Sequence, residues 1–302
     1  MGAESLGLVL GEGPVDETAI PGRFRLVLRR FLKRRMAVLG LVLLVLLFAL
    51  AFLGPYLSHW DYQSHDFENF RSGPSGDHWF GTTQTGGDVY ELTLRGMQKS
   101  LIIGLIAAVV STALSALVGA FAGYFGGWPD RILMWIVDLL LVLPYFLILA
   151  ILSPTFKGNS WLLFVLLLAM FLWQITARIV RGMTISLRER EYVMAARFMG
   201  VSGPRIVFRH ILPNISSLLI VDATINVSAA IIFETSLSYF GFGVQAPDVS
   251  LGTLIADGTN DATTFPWLFW FAAGLLVLIV LAVNLVGDGL RDALDPTSGL
   301  ES

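Results

Sequence analysis

Cysteine is absent from the 302 residues, which excludes structural disulfides, cysteine-ligated zinc, iron–sulfur clusters and thiol nucleophiles. Charge is scarce as well. Asp, Glu, Lys and Arg supply 14% of the chain, against about 25% in ordinary soluble domains. There is no Gly-x-x-x-x-Gly-Lys phosphate loop, because none of the three lysines (Lys33, Lys99, Lys157) follows a glycine. The chain therefore has no such route to binding and hydrolysing ATP. His-Glu-x-x-His and Gly-x-Ser-x-Gly are missing too, which argues against a membrane protease or hydrolase. The net charge of −3 points to no nucleic-acid partner. Apolar residues are abundant instead, at 55% of the chain with a mean hydropathy of +0.71. The chain reads as an all-α, polytopic membrane protein.

A bilayer core about 30 Å thick needs roughly 20 apolar residues per helix. Six stretches qualify: 36–57, 100–125, 132–152, 161–177, 216–239 and 267–286. The first is too long, and lacks too clearly a small-residue cleavage site, to be a signal peptide, so it is read as a retained helix. The domain reading follows: a cytoplasmic tail with a basic run (1–35), a first span (36–57), an external loop (58–99), a five-helix transmembrane domain (100–288) with a loop near 181–215, and a C-terminal tail (289–302). The first 22 residues and the stretch from Asp295 read as disordered.

Orientation follows from the cations. Seven lie in 23–35 (Arg23, Arg25, Arg29, Arg30, Lys33, Arg34, Arg35), and seven more are Arg178, Arg181, Arg188, Arg190, Arg197, Arg205 and Arg209. With six spans these share a side with Arg131 and Arg291, so sixteen of the twenty cations are on the side of the termini. Only Arg71, Arg95, Lys99 and Lys157 fall opposite. Both termini are therefore expected in the cytoplasm. The external loops carry acids: Asp61, Asp66, Glu68, Asp77, Asp88 and Glu91, then Asp248, Asp257 and Asp261. His59, His65 and His78 join the first group, but the spacing fits no regular ligand pattern. This stretch reads as a solvated loop and no metal site is expected.

The second span is built of small residues. Ser111, Ser115, Gly119 and Gly123 recur every four positions beside Gly104, Ala108, Thr112, Ala116 and Ala120. Such rows let helix backbones approach closely in lipid. The plain reading is packing within the chain, and the sharper one is a place at the centre of a two-subunit pore. Asp138, Asp222 and Glu234 fall at membrane depth, where carboxylates are costly and face a protein interior or a water-filled path. With Asn226 they are pore or gate candidates. Asp222 and Glu234 are twelve residues apart, about 18 Å along a helix, too far for one acid–base pair. Pro144 is expected to kink the third span.

Loop 181–215 is the most informative segment. Its first part runs Arg188-Glu-Arg-Glu-Tyr-Val-Met-Ala-Ala-Arg-Phe-Met-Gly200, a run of helix formers that stops at a glycine suited to a helix end. Ser202 and Pro204 can open a second short helix that ends before Pro213. The expected product is a cytoplasmic helix–turn–helix presenting Tyr192, Val193, Ala195, Ala196 and Phe198 within an arginine border. Such a surface suits a partner protein, although arginines could also face lipid headgroups.

Ala195-Ala196, then Gly200, then Leu212-Pro213 resembles the "EAA" loop of bacterial ABC-importer permeases. The strings Glu191-Tyr-Val-x-Ala-Ala-Arg and Arg209-His-Ile-Leu-Pro-Asn214 are similar to the dipeptide/oligopeptide branch, in particular its second ("C-type") permease. Met194 stands at the usual Glu, with Glu191 one turn earlier, and His210 at the usual Ile. Phe80-Gly-Thr82 with Asp88, Gly123-Tyr-Phe-Gly-Gly127 with Asp130, Asp138 with Pro144, Leu237-Ser-Tyr-Phe-Gly-Phe-Gly243 with Pro247 and Gly252, and Gly287-Asp-Gly-Leu-Arg-Asp-Ala-Leu-Asp-Pro296 fit the same branch. Departures are external: Thr83 for Asp, Gly87 for Arg, Glu91-Leu92, Arg95 and Gln98 before the second span, and Leu251 for Trp.

The resemblance implies a type I ABC importer transmembrane domain in the bacterial or archaeal cytoplasmic membrane. It implies a second permease subunit as heterodimer partner, two cytoplasmic ATPase subunits or domains that hold ATP and Mg²⁺, an external solute-binding protein, and contact with membrane lipids. No cofactor is expected in this chain. Glu191, Tyr192, Ala195, Ala196, Gly200, His210, Leu212 and Pro213 would couple the pore to the ATPase, and Glu234, Gly241 and Gly243 lie where the family has its outer gate. Peptides are the implied solutes, with nickel and oligosaccharides carried by relatives. Two other classes remain: a proton-coupled carrier using Asp138, Asp222 and Glu234, and a membrane scaffold needing only the docking loop.

Overall fold

A computed structural model describes residues 23–153 and 161–294. Lys157 and both expected disordered tails, 1–22 and 295–302, lie outside the described residues. Four helices or helix runs are long and apolar enough to span a bilayer, and two bent pairs bring the number to as many as six. In chain order these are α2 (Arg35–Leu53) running into a 3₁₀ turn, α3 (Val89–Phe125), the bent pair α4 (Gly127–Val142) and α5 (Tyr145–Leu152), the bent pair α6 (Trp161–Ala169) and α7 (Gln174–Arg188), α10 (Leu212–Tyr239) and α12 (Trp267–Leu294). Shorter helices join them: α1 (Arg23–Lys33), α8 (Glu191–Phe198), α9 (Gly203–Ile206) and α11 (Leu251–Gly258). No strand is found among the described residues, only two isolated bridges.

Several boundaries differ from expectation, each for a local reason. Helix α3 begins at Val89, eleven residues before the apolar run, so the loop after the first span ends at Asp88 rather than 99. The Asp88 carboxylate accepts the Glu91 N–H at 2.9 Å and caps the helix. Helix α1 lies inside the stretch read as a tail, and α12 runs to Leu294, past residue 288. Pro144 does bend the third span, by 77°. It forces Leu143 into the extended region, at φ −68° and ψ 134°. The fourth span is bent by 45° at residues 170–173 with no proline or glycine there. Phe171 and Leu172 donate to carbonyls three residues back, and the Gln174 side chain takes the Met170 carbonyl at 2.7 Å. That hydrogen bond substitutes for a lost backbone one.

The small residues of α3 serve packing within the chain. A Cβ on Gly119 would lie 2.4 Å from the Ala177 carbonyl, and one on Gly123 2.6 Å from that of Arg181, so α7 rests directly on this face. Gly104 meets Ile231 of α10 in the same way. The largest core joins α2, α3, α10, α11 and α12 through Leu47, Leu94, Leu101, Ile231, Leu251 and Ile279. A second, around Ala120, Val180, Val193 and Ile211, supports the helix–turn–helix. Exposed leucines, isoleucines and valines such as Leu39, Val45, Leu105 and Val277 mark the outward faces of the spans, as lipid contact requires.

Candidate functional site

The segment after α7 folds as a compact module. Helix α8 ends in paired backbone bonds: Val201 N–H to the Ala196 carbonyl at 3.1 Å and Gly200 N–H to that of Arg197 at 3.0 Å. This closing turn needs a left-handed residue, and Gly200 supplies it at φ +78°. Val193 and Ala196, expected on the outer surface, are buried against Ile206, Val207, Ile211 and Val180. Helical spacing allows only one face outward, and these two lie on the other. The outer surface is Glu191, Tyr192, Met194, Ala195, Phe198 and Met199, with Phe198 90% exposed. The Tyr192 ring lies 6.5 Å from that of half-buried His210.

The second short helix does not stop before Pro213. Helix α9 passes through a π turn (Val207–Ile211) into α10, with the Leu212 N–H bonded to the Val207 carbonyl five residues back. Pro213 follows just after that π turn, where the widened turn accommodates a residue that has no N–H to give. Leu212 and Pro213 thus start a span rather than end a loop. The module is stiffly joined to α3 as well: the Arg188 guanidinium donates to the Tyr124 carbonyl at 3.2 Å, and Gly203 sits against the Tyr124 and Phe125 rings.

The membrane carboxylates fall into three separate places. Asp222 is shared by three helices: its Oδ1 accepts from Thr176 at 2.5 Å, and its Oδ2 from Thr112 at 3.1 Å and Asn226 at 3.0 Å. Asp138 is half-exposed and paired with Arg178, while Asp130 takes Arg181 through two oxygens. These pairs tie α4 to α7. Glu234 is fully buried. Its Oε1 accepts the Ser238 hydroxyl at 2.5 Å and the Ser250 hydroxyl at 2.7 Å. Ser250 caps α11, and the next amide, Leu251 N–H, donates to Ser100 on α3 at 3.2 Å. Gly241, at φ +80°, ends α10 with the same paired turn as Gly200, and Gly243 packs directly on Ser238.

Loop 58–88 has much of its surface exposed, as a solvated loop does, but it folds around one buried histidine. His78 is 2% exposed. Its Nδ1 bonds Asp88 at 2.7 Å, its Nε2 meets Asp66 at 3.2 Å, and its ring stacks on Trp60. Thr83 and Gly87, two of the departures from the family pattern, touch each other: the Gly87 N–H donates to the Thr83 hydroxyl at 2.9 Å. Burial works against the His78 charge, but the bonds to Asp88 and Asp66 outweigh it and raise the imidazole above 6.5. The Asn69 amide, the Glu68 N–H and His78 hold Asp66 down at about 2.

A raised histidine stabilises fully below its unfolded value and loses that contribution as pH climbs through its folded value. A depressed carboxylate stabilises above its unfolded value and loses that as pH falls. The loop is therefore held best between pH 3.8 and 6.5. Amide exchange in 58–88, corrected for intrinsic rates, should show protection falling above pH 6.5 in the wild type, with a flatter profile in His78→Gln. Identical profiles would contradict this account.

Sequence reasoning missed Thr176 and His78 as partners of carboxylates. The first contact joins residues 46 apart and the second residues 10 apart within an irregular loop, so neither has a periodic sign. The Asp130/Asp138 and Arg178/Arg181 pairs did have one, since both couples sit one or two turns apart on facing helices.

Residues 115–298 match the family described as "Binding-protein-dependent transport system inner membrane component", and residues 22–74 match the "N-terminal TM domain of oligopeptide transport permease C". The oligopeptide transport system permease protein OppC of Mycobacterium tuberculosis is 56% identical over 282 residues, covering 93% of this chain and 97% of its own. OppC of Escherichia coli K12 is 44% identical over 270 residues, 89% of each chain. OppC of Bacillus subtilis is 39% identical over 269 residues, 88% of this chain and 87% of its own. With the family matched over more than half its length and such relatives along nearly all of it, this chain belongs to the binding-protein-dependent transport system inner membrane components.

Proposed function

We propose that this chain is the permease subunit of a binding-protein-dependent importer of di- and oligopeptides, forming half of the translocation pore. The naming of its relatives supports the peptide solute. The observation that carries the coupling mechanism is the exposed apolar face of α8, with Phe198 and Met199 almost fully open beside Tyr192 and Met194. Apolar anchors of this kind, standing on a rigid support, suit a groove in another protein. The occupant of that role is a cytoplasmic ATPase subunit, which supplies the nucleotide chemistry that this chain has no phosphate loop to perform.

The module would work as a lever. Force on α8 passes through Val193 and Ala196 to the π turn and so directly into α10. The Asp222 hydrogen bonds tie α10 to α3 and α7, so the three helices move as a unit. Packed elements of this kind switch between discrete arrangements, here inward- and outward-facing pores. A second permease would close the pore opposite α3, α5 and α10, and a solute-binding protein would meet the end formed by loop 58–88 and α11. Both termini and the module are then cytoplasmic.

Because the chain has no cysteine, single replacements give clean readouts. Phe198→Cys should cross-link to an ATPase subunit and resist an impermeant maleimide in intact cells, whereas Gln63→Cys should react. External labelling of Phe198→Cys would reverse the orientation. A failure to cross-link in the assembled complex would remove the coupling role.

A further inference from the structure

At the end of the bundle that carries loop 58–88, a cavity of about 840 Å³ opens between that loop and the segment following α10. Small-ligand sites span about 300–1,000 Å³. Tyr62 lines it from the loop, and Tyr239, Gln245 and Asp257 from the other side. Three acids reach its wall, and two are already neutralised. Lys99 Nζ lies 2.8 Å from Asp248, and Arg71 lies 3.5 Å from Asp261. Asp257 alone among them has no ion pair or hydrogen bond among the described residues. Asp257 is exposed at the cavity wall, and the desolvation that it does feel raises its carboxyl above the ordinary 3.8. Gln245 donates its amide hydrogens to the Gly241 and Gly243 carbonyls, each at 3.1 Å. Its carbonyl oxygen is left as an acceptor. The cavity therefore offers a carboxylate and an amide oxygen beside the Tyr239 ring, while Lys99 and Arg71 are spent on other acids and Arg95 is held over the Tyr62 ring and on Gln98. That is a site for a donor-rich cation.

We propose that this cavity is an entry site that holds the positively charged amino group of the solute against Asp257. The site ends at Gly241, where α10 turns away, so a solute bound there lies at the mouth of the helix that the lever moves. The inference rests on the peptide reading above, in which every unmodified solute carries a terminal ammonium.

The test uses the assembled permease–ATPase complex in detergent without its binding protein, so that receptor preference plays no part. The probe is tri-alanine with a C-terminal fluorophore, free or acetylated at the amino terminus, read by anisotropy. The wild type should bind the free form about tenfold more tightly, the scale of one charge-assisted hydrogen bond. Asp257→Asn should abolish the difference and Asp257→Glu should keep most of it. Equal binding of both probes, no binding by the wild type, or discrimination that survives in Asp257→Asn would overturn the proposal. Failure of the peptide reading itself is seen separately, as absent tri-alanine uptake by the complete wild-type system.

Discussion

Gly200→Val is expected to reduce ATP-driven uptake by at least about tenfold while the spans still insert and the complex is still made. Gly200 stands at φ +78° with open space around the position of a Cβ, so the penalty is purely one of backbone conformation. The left-handed region costs an ordinary residue about 1–2 kcal/mol and a β-branched one more. The cheapest escape is to unwind the turn that links α8 to α9, which disconnects the apolar face from the π turn and α10. Gly200→Asn should be milder, because asparagine tolerates this region. The measurement is uptake together with ATPase activity. ATP hydrolysis should become uncoupled from transport, or the ATPase should dissociate. Normal coupled uptake by Gly200→Val would mean that the module does not transmit the force.

Glu234→Ala should do still more harm, at the opposite end of α10. It leaves the Ser238 and Ser250 hydroxyls without their shared acceptor in a site with no solvent, and it opens a void. Together these cost about 3–5 kcal/mol. The clamp between α10, α11 and α3 loosens, and the purified complex should lose both thermal stability and transport. Glu234→Gln should stay within about threefold of wild-type transport, about 0.7 kcal/mol. Its carbonyl accepts the same two hydroxyls, and the second oxygen of Glu234 has no partner among the described residues to lose. If Gln proves as damaging as Ala, the ionisable proton and not the hydrogen bonds would be what matters. A proton-coupled mechanism would then gain ground.

The apolar runs made the spans legible, because a membrane helix must be long and apolar whatever it packs against. Pro144 and Gly200 were legible for a similar reason, since each restricts the backbone locally. The break at 170–173 was not, because no residue there forbids a helix; the Gln174 side chain takes the Met170 carbonyl in place of a backbone donor. The start of α3 was hidden behind Tyr90, Glu91 and Thr93, which look like loop to a hydropathy scale but are buried in the fold. In α8, the helix and its closing glycine were legible and the facing of its residues was not. Val193 and Ala196 turn inward because the π turn brings Ile206, Val207 and Ile211 beneath them, a packing that no spacing within α8 discloses. The carboxylate partners Thr176 and His78 were out of reach for the same reason.

The most direct measurement is uptake of labelled tri-alanine into proteoliposomes holding this chain, its second permease and its ATPase subunits, with the binding protein on the receptor side. Uptake should require ATP on the side of α8 and be unchanged when the proton gradient is collapsed. Uptake driven by a proton gradient with the ATPase subunits left out would contradict the ATP-driven mechanism.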